Sequence, residues 1–297
     1  MNKFCLATFY IVILLSTYPV KADKNEHITI IHHPHLGDEF NQDDLYFLAL
    51  LNLALESSKQ TFGPYKLVSS PLPMLQQRAI AEVVDNRLDV IWTMTSPDRE
   101  KQLKPVRIPT LKGLGGFRIF LIRLGDEEKF KKINNESQLK ALMAGQGLYW
   151  PDSNILLDNG YSLKKVVDHE TLVKMLTFKR FDYMPRSLHE IWAEVAEMDN
   201  LTVEETLAIY YPSPFYFFVN NDNDILHNRI SVGLSNAIDN GSFHHFFENH
   251  PSTKSLILNA KLEQRTVFKL KNRFMTEETK AVISDVKYLY RPALFIN

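Results

Sequence analysis

The sequence predicts an α/β protein made of two units facing one cleft. Three observations predict it: short apolar runs alternate with helix-length stretches, the alternation occurs twice, and no long linker separates the two rounds. In the first round residues 28–31 read as a strand, 45–55 as a helix, 65–68 as a strand, 74–84 as a helix and 88–92 as a strand. This βαβαβ rhythm implies a mostly parallel sheet with helices on both faces. In the second round, residues 117–122 read as a strand, 137–144 as a helix, 147–150 as a strand end and 155–158 as a helix. Residues 165–167 (strand), 170–179 (helix), 181–184 (strand) and 188–198 (helix) complete it. A β-prone stretch, 210–219, then leads into a helix over 225–238 that Asn240-Gly241 ends, and a shorter helix over 243–249 stops before Pro251. Residues 252–297 show no regular pattern.

Composition excludes several classes. With 297 residues, 45% of them hydrophobic, the chain is long enough for one large domain or two smaller ones, and neither a disordered tail nor a disulfide scaffold fits. Its 34 basic and 35 acidic side chains leave no surplus for a phosphate backbone, so nucleic acid is not an expected partner. Residues 1–22 have the anatomy of a cleaved secretory signal: Lys3, an apolar run over 4–15, and small or aliphatic residues at Val20 and Ala22 before Asp23. The run is shorter than the roughly 20 residues that span a bilayer. Cleavage would remove Lys3, Lys21 and the only cysteine, Cys5, leaving 32 basic against 35 acidic residues. A cysteine-free exported chain has neither disulfides nor thiol chemistry, and bacterial export suits it best.

In open α/β sheets ligands sit beyond the carboxyl ends of strands, so the strand-to-helix turns are the informative places. In the first such turn, after Trp92, Thr95 and Ser96 precede Pro97 and Arg99; Ser96 reads as an N-cap and Pro97 as the first helical residue. Arg99 there either grips an anion with two parallel bonds or pairs with a local acid such as Asp98. In the second turn, 145–153, Tyr149 and Trp150 supply either an aromatic wall for an organic ligand or packing under a lobe. The third, 181–190, carries Arg186 and an expected capping box between Ser187 and Glu190. Two arginines in turns of one design point to an anionic or zwitterionic small ligand. The cluster His32-His33-Pro34-His35 lacks the helical spacing of a metal site, so no metal is expected; an imidazole such as His33 lining a cleft is the more modest reading. No G-x-S-x-G elbow, P-loop, HExxH or G-x-G-x-x-G is present, and neither catalysis nor a cofactor is expected.

Arg87-Leu-Asp-Val-Ile-Trp92 followed by Thr95-Ser-Pro-Asp-Arg99, then Lys179-Arg-Phe-Asp182, then the helix within 221–241, resemble in order the motifs of the bacterial extracellular solute-binding proteins of family 3. These are periplasmic binding proteins of the type 2 fold that usually serve amino-acid ABC transporters. The resemblance implies two α/β lobes, each a mainly parallel sheet flanked by helices, joined by two hinge strands. Lobe 1 would comprise 23–116 plus 214–297, with a C-terminal extension over 251–297, and lobe 2 would comprise 117–213. It implies a periplasmic monomer that closes on a small ligand and delivers it to a transporter permease, with Arg99 holding a carboxylate and Thr95 and Ser96 beside it. A stand-alone sensor that presents its ligand to a membrane receptor is the alternative, motivated by the extension. The sequence departs from the family where an aspartate meets the ligand's α-ammonium: Pro185-Arg186-Ser187 stands there, which points toward an acid, such as a dicarboxylate.

Overall fold

The computed structural model describes residues 27–35, 42–196 and 198–290. The expected signal, residues 1–22, lies outside them. In the first unit β1 (Thr29–His33) runs parallel to β2 (Tyr65–Ser69), with Ile31 opposite Leu67. Between them come α1 (Gln42–Ser57) and the single turn α2 (Lys59–Phe62). After α3 (Gln76–Val84), β3 (Val90–Met94) joins beside β1, where Asp89 N donates to His32 O at 2.9 Å. Ser96 then caps α4 (Pro97–Gln102), its Oγ accepting from Arg99 N, as the Ser-Pro pair predicts. β4 (Lys104–Val106) closes this part of the chain.

A 3₁₀ turn over Leu114–Gly116 feeds β5 (Phe117–Arg123), buried along nearly its whole length. The second unit continues with α5 (Glu127–Lys131), α6 (Glu136–Lys140), β6 (Met143–Gly147), α7 (Pro151–Asp158), β7 (Ser162–Val166) and α8 (His169–Thr177). It ends with β8 (Met184–Ser187), α9 (Ile191–Val195), β9 (Leu201–Val203) and β10 (Leu207–Tyr210). β6 and β7 pair in parallel; β5 pairs antiparallel with β8, β9 and β10. The chain then returns to the first unit as β11 (Phe215–Val219), which lies between β3 and β4, antiparallel to both. Pairing is therefore mixed: parallel where a helix crosses over, antiparallel where the chain passes between units. The two passages are held side by side by Tyr211 N to Gly116 O at 3.1 Å and Thr110 N to Phe215 O at 3.0 Å.

α10 (Asp224–Asp239) packs on α1 so closely that a Cβ on Gly233 would lie 1.8 Å from the Ala54 carbonyl oxygen, so only glycine fits there. α11 (Ser242–Asn249) and α12 (Pro251–Ala260) pack beside them. The last segment is more regular than its sequence pattern suggests. β12 (Thr266–Lys269) adds to β10 in parallel, and α13 (Glu277–Ser284) follows. Most of the buried hydrophobic side chains, from Ile31 to Leu270, form one continuous core spanning both units. No described helix is long and apolar enough to cross a membrane.

Three expected elements differ. The helix expected over 137–144 stops at Lys140 and Ala144 lies in β6, because Gly145 and Gly147 let the Phe181 ring and the Trp150 indole occupy the space of a Cβ. The strand expected over 181–184 begins only at Met184, since Asp182 turns to accept from Met143 N at 2.8 Å. Arg186 and Ser187 lie within β8, paired with β5, so the helix expected over 188–198 shortens to α9.

Candidate functional site

The ends of β3, β5 and β8 and the start of α7 converge on a small buried cavity of about 40 Å³ lined by Arg99, Arg118, Gln146, Trp150, Asp152, Arg186 and Glu190, among others. That volume holds about three water molecules. Beside it a larger cavity of about 350 Å³ is lined by Gln77, Ser96, Pro97, Asp98, Leu148, Tyr149, Asn154 and Phe274. Arg99, Trp150 and Pro151 line both.

The charges of the three arginines are used differently. Arg118 points from β5 to the carboxylate of Asp152 in the first turn of α7, with Nε 2.6 Å from Oδ1, and also donates to the carbonyls of Gly115 and Phe117. Burial alone would lower the Arg118 pKa, but Asp152, with Tyr211 and Glu190, more than offsets it and raises it; against the burial of Asp152, Arg118 and the Tyr211 hydrogen bond hold that carboxyl below the usual range. Tyr211 OH donates to the same carboxylate. Arg186 is clamped by Glu194, its Nε donating to Oε1 and Oε2 at 3.0 and 2.8 Å, with Glu190 Oε2 3.0 Å from its Nη2. It lies over the Trp150 ring, 4.5 Å from the centroid. Against its burial, the two glutamates raise its pKa.

Arg99 has no such partner. It is 4% exposed, and its guanidinium donates to Thr93 Oγ1 at 2.6 Å, to Met94 O at 2.7 Å and to Gln76 Oε1, all neutral. Among the described residues no carboxylate touches it. Burial pushes its pKa down to about 10, with Asp152 opposing from a distance. A buried cation held by neutral acceptors favours the arrival of an anion.

The other expected site residues separate from the cavities. Thr95 Oγ1 donates to Glu100, and Trp92 Nε1 donates to Asp44 while its ring stacks on Phe47. Ser187 Oγ lies 2.7 Å from His189 Nδ1, which replaces the expected capping box: the N-cap of α9 is Glu190, without a side-chain cap bond. His33 Nδ1 faces Pro34 O at 2.8 Å, and His32 pairs with Asp89. None of these four, Trp92, Thr95, Ser187 and His33, lines either cavity. No group of three or more described His, Cys, Asp or Glu residues is placed to hold a metal ion. Arg118, Asp152 and Phe274 escaped the sequence reading. A charge inside the apolar run Phe117-Arg-Ile-Phe-Leu-Ile122 was the available signal for the first; nothing local marked the last.

His189 is wedged edge-on against Phe47 and Phe215, with ring centroids 5.7 and 4.7 Å away. Burial lowers its pKa from 6.5 to about 4, despite Glu190 and Glu194 nearby and with Arg118 and Arg186 adding to the effect. The unfolded chain therefore binds more protons in this range, so its stabilising contribution is complete above pH 6.5 and is lost as pH falls toward 4. The loss should reach about 3 kcal/mol. Urea unfolding across this range should show that slope, and His189→Gln should flatten it.

No family model matches the sequence, and no curated protein sequence matches it. Solved structures do match. An arginine-specific periplasmic binding protein from Salmonella typhimurium matches with a TM-score of 0.54 at 14% identity, over 75% of this chain and 99% of its own. An arginine transport-system periplasmic binding protein from Legionella pneumophila matches with a TM-score of 0.57 at 9% identity, over 75% of this chain and 100% of its own. An ancestral arginine-binding protein bound to arginine gives 0.52 at 15% identity, over 75% of this chain and 98% of its own. The fold is that of the two-lobed periplasmic binding proteins. Arg99 belongs to the unit of β1 to β4, and Trp150, Asp152 and Arg186 to that of β5 to β10, so residues of both units line each cavity. The structures it resembles are binding proteins, and a quarter of this chain lies outside the match to them.

Proposed function

We propose that the chain is a periplasmic solute-binding protein that captures a small carboxylate-bearing, amino-acid-like solute between its lobes and hands it to an ABC transporter. The observation that carries this reading is Arg99: a buried guanidinium at the lobe junction, free of any carboxylate among the described residues and lining both cavities. The lobes are taken as 23–116 plus 214–297 and 117–213, with the C-terminal segment crossing to the second lobe's sheet at β12. Contacts from both lobes to one ligand would favour a closed state sparsely populated without it.

Arg186 narrows the ligand. The dicarboxylate expected from its position needs a second available cation, but Glu194 and Glu190 already neutralise it. One carboxylate is therefore the requirement. A thermal-shift screen of amino acids, organic acids and small peptides tests the reading. At a ligand concentration one hundred times Kd, binding adds about 2.7 kcal/mol, an upward Tm shift of about 5–10 °C. If uncharged solutes raise Tm while no carboxylate does, the reading fails.

A further inference from the structure

The C-terminal segment lines the larger cavity through Phe274 and is fastened on both sides of it. From β12, which extends the sheet of the second lobe, Lys271 exchanges bonds with Asn159: its N–H donates to Oδ1 at 3.2 Å and its carbonyl accepts from Nδ2 at 2.8 Å. Arg273 forms a two-pronged pair with Asp158 at the end of α7, and Asn272 Nδ2 donates to Pro212 O at 2.7 Å in the passage between lobes. Four residues on, the chain is tied to the first lobe. Thr276 Oγ1 and Thr279 Oγ1 donate to the two oxygens of Glu100 at 2.8 and 2.7 Å. That carboxylate is 3% exposed and also receives Thr95 and Arg107.

Phe274 sits between these fastenings, 38% exposed, and lines the larger cavity, as Tyr149 and Trp150 do. A large exposed ring on a segment pinned at both sides loses little further freedom when a ligand covers it. The division of space points the same way. The 40 Å³ that Arg99 shares with the paired charges holds about three waters, whereas the larger cavity of 350 Å³, which Arg99 also lines, is of small-molecule size and has Phe274, Tyr149 and Trp150 in its walls beside Gln77, Ser96, Asp98 and Asn154.

We infer that the C-terminal segment is part of the ligand site, and that the site takes acids whose carboxylate meets Arg99 and whose bulky aromatic or aliphatic body fills the chamber between Phe274, Tyr149 and Trp150. This rests on the solute-binding reading above. It makes Phe274 a specificity-determining residue. Short polar amino acids and small diacids leave the chamber empty and bind weakly.

Calorimetric titration of the mature chain with succinate, glycine, indole-3-acetate and L-tryptophan tests it. The two indole acids should bind at least about tenfold more tightly than succinate or glycine. Phe274→Ala should weaken the indole acids about tenfold and leave the small acids unchanged; Tyr149→Ala, on a half-exposed ring of the same cavity, should do the same. Small acids that bind as tightly as the indole acids, with neither variant altering any affinity, would overturn the chamber while leaving the solute-binding reading intact. Absence of binding by all four acids would overturn the chamber, and only the absence of binding by every carboxylate of the thermal-shift screen would overturn the solute-binding reading as well. Unchanged near-ultraviolet dichroism of each variant shows that the fold is retained.

Discussion

Arg99→Met should lower the affinity for carboxylate ligands by about 100-fold or more, with the fold retained. Two charge-assisted bonds in a desolvated site are worth about 1.5–3 kcal/mol each, and 1.4 kcal/mol is a factor of ten. Methionine keeps much of the apolar stem but supplies no donors. Arg99→Lys should recover only part of the loss, because a point charge cannot make two parallel bonds to one carboxylate. Thr93, Met94 and Gln76 lose their donor in the methionine variant, so its unfolding must be measured beside the titration. An affinity within threefold of the unmodified chain would remove Arg99 from the site.

The second large effect is on stability. Asp152→Ala should destabilise the protein by about 3–5 kcal/mol, since it leaves Arg118 buried with no charged partner, on the carbonyls of Gly115 and Phe117 and the Met94 sulfur. For a chain of this size that is a fall in Tm of about 10 °C. Tyr211 also loses the acceptor of its hydroxyl. Replacing both members of the pair, as in Arg118→Met with Asp152→Leu, should restore much of the loss, because the uncompensated charge is gone. The pH dependence carries a definite sign. Arg118 depresses the Asp152 carboxyl, so its contribution is complete above the unfolded value of about 3.9 and is lost as pH falls through the lower folded value. The stability curves of the unmodified and Asp152→Ala chains should therefore converge in acid. Parallel curves down to the acid transition would mean that the pair contributes little.

Legibility in the sequence followed the range of the interactions. The cap at Ser96, the proline at 97 and the helix end at Asn240-Gly241 are local devices, and they stand where the sequence puts them. The start of the strand at Met143–Gly147 reads in the sequence as the end of a helix and its end at Gly147 as a strand beginning, because its reason is remote: a Phe181 ring from another segment occupies the glycine face. Arg186 shows the same limit in the site. Its turn leaves it projecting either toward a cleft or out to solvent, and its charge is decided by Glu194, eight residues on, brought back by the short helix α9.

Alternating apolar runs and helical stretches by themselves determined an α/β chain in two units, because strand and helix periodicity are written residue by residue. They also placed Arg99 in a strand-to-helix turn. Only the tertiary structure decided which of the three arginines lining the small cavity keeps an unspent charge. Neutralisation depends on carboxylates that arrive from other elements, Asp152 from α7 and Glu194 from α9. It alone set Phe274 in the wall of the larger cavity, 175 residues along the chain from Arg99, on a segment tied down by Glu100 on one side and Asp158 on the other. Burial and pairing are properties of space, and a linear pattern does not record them.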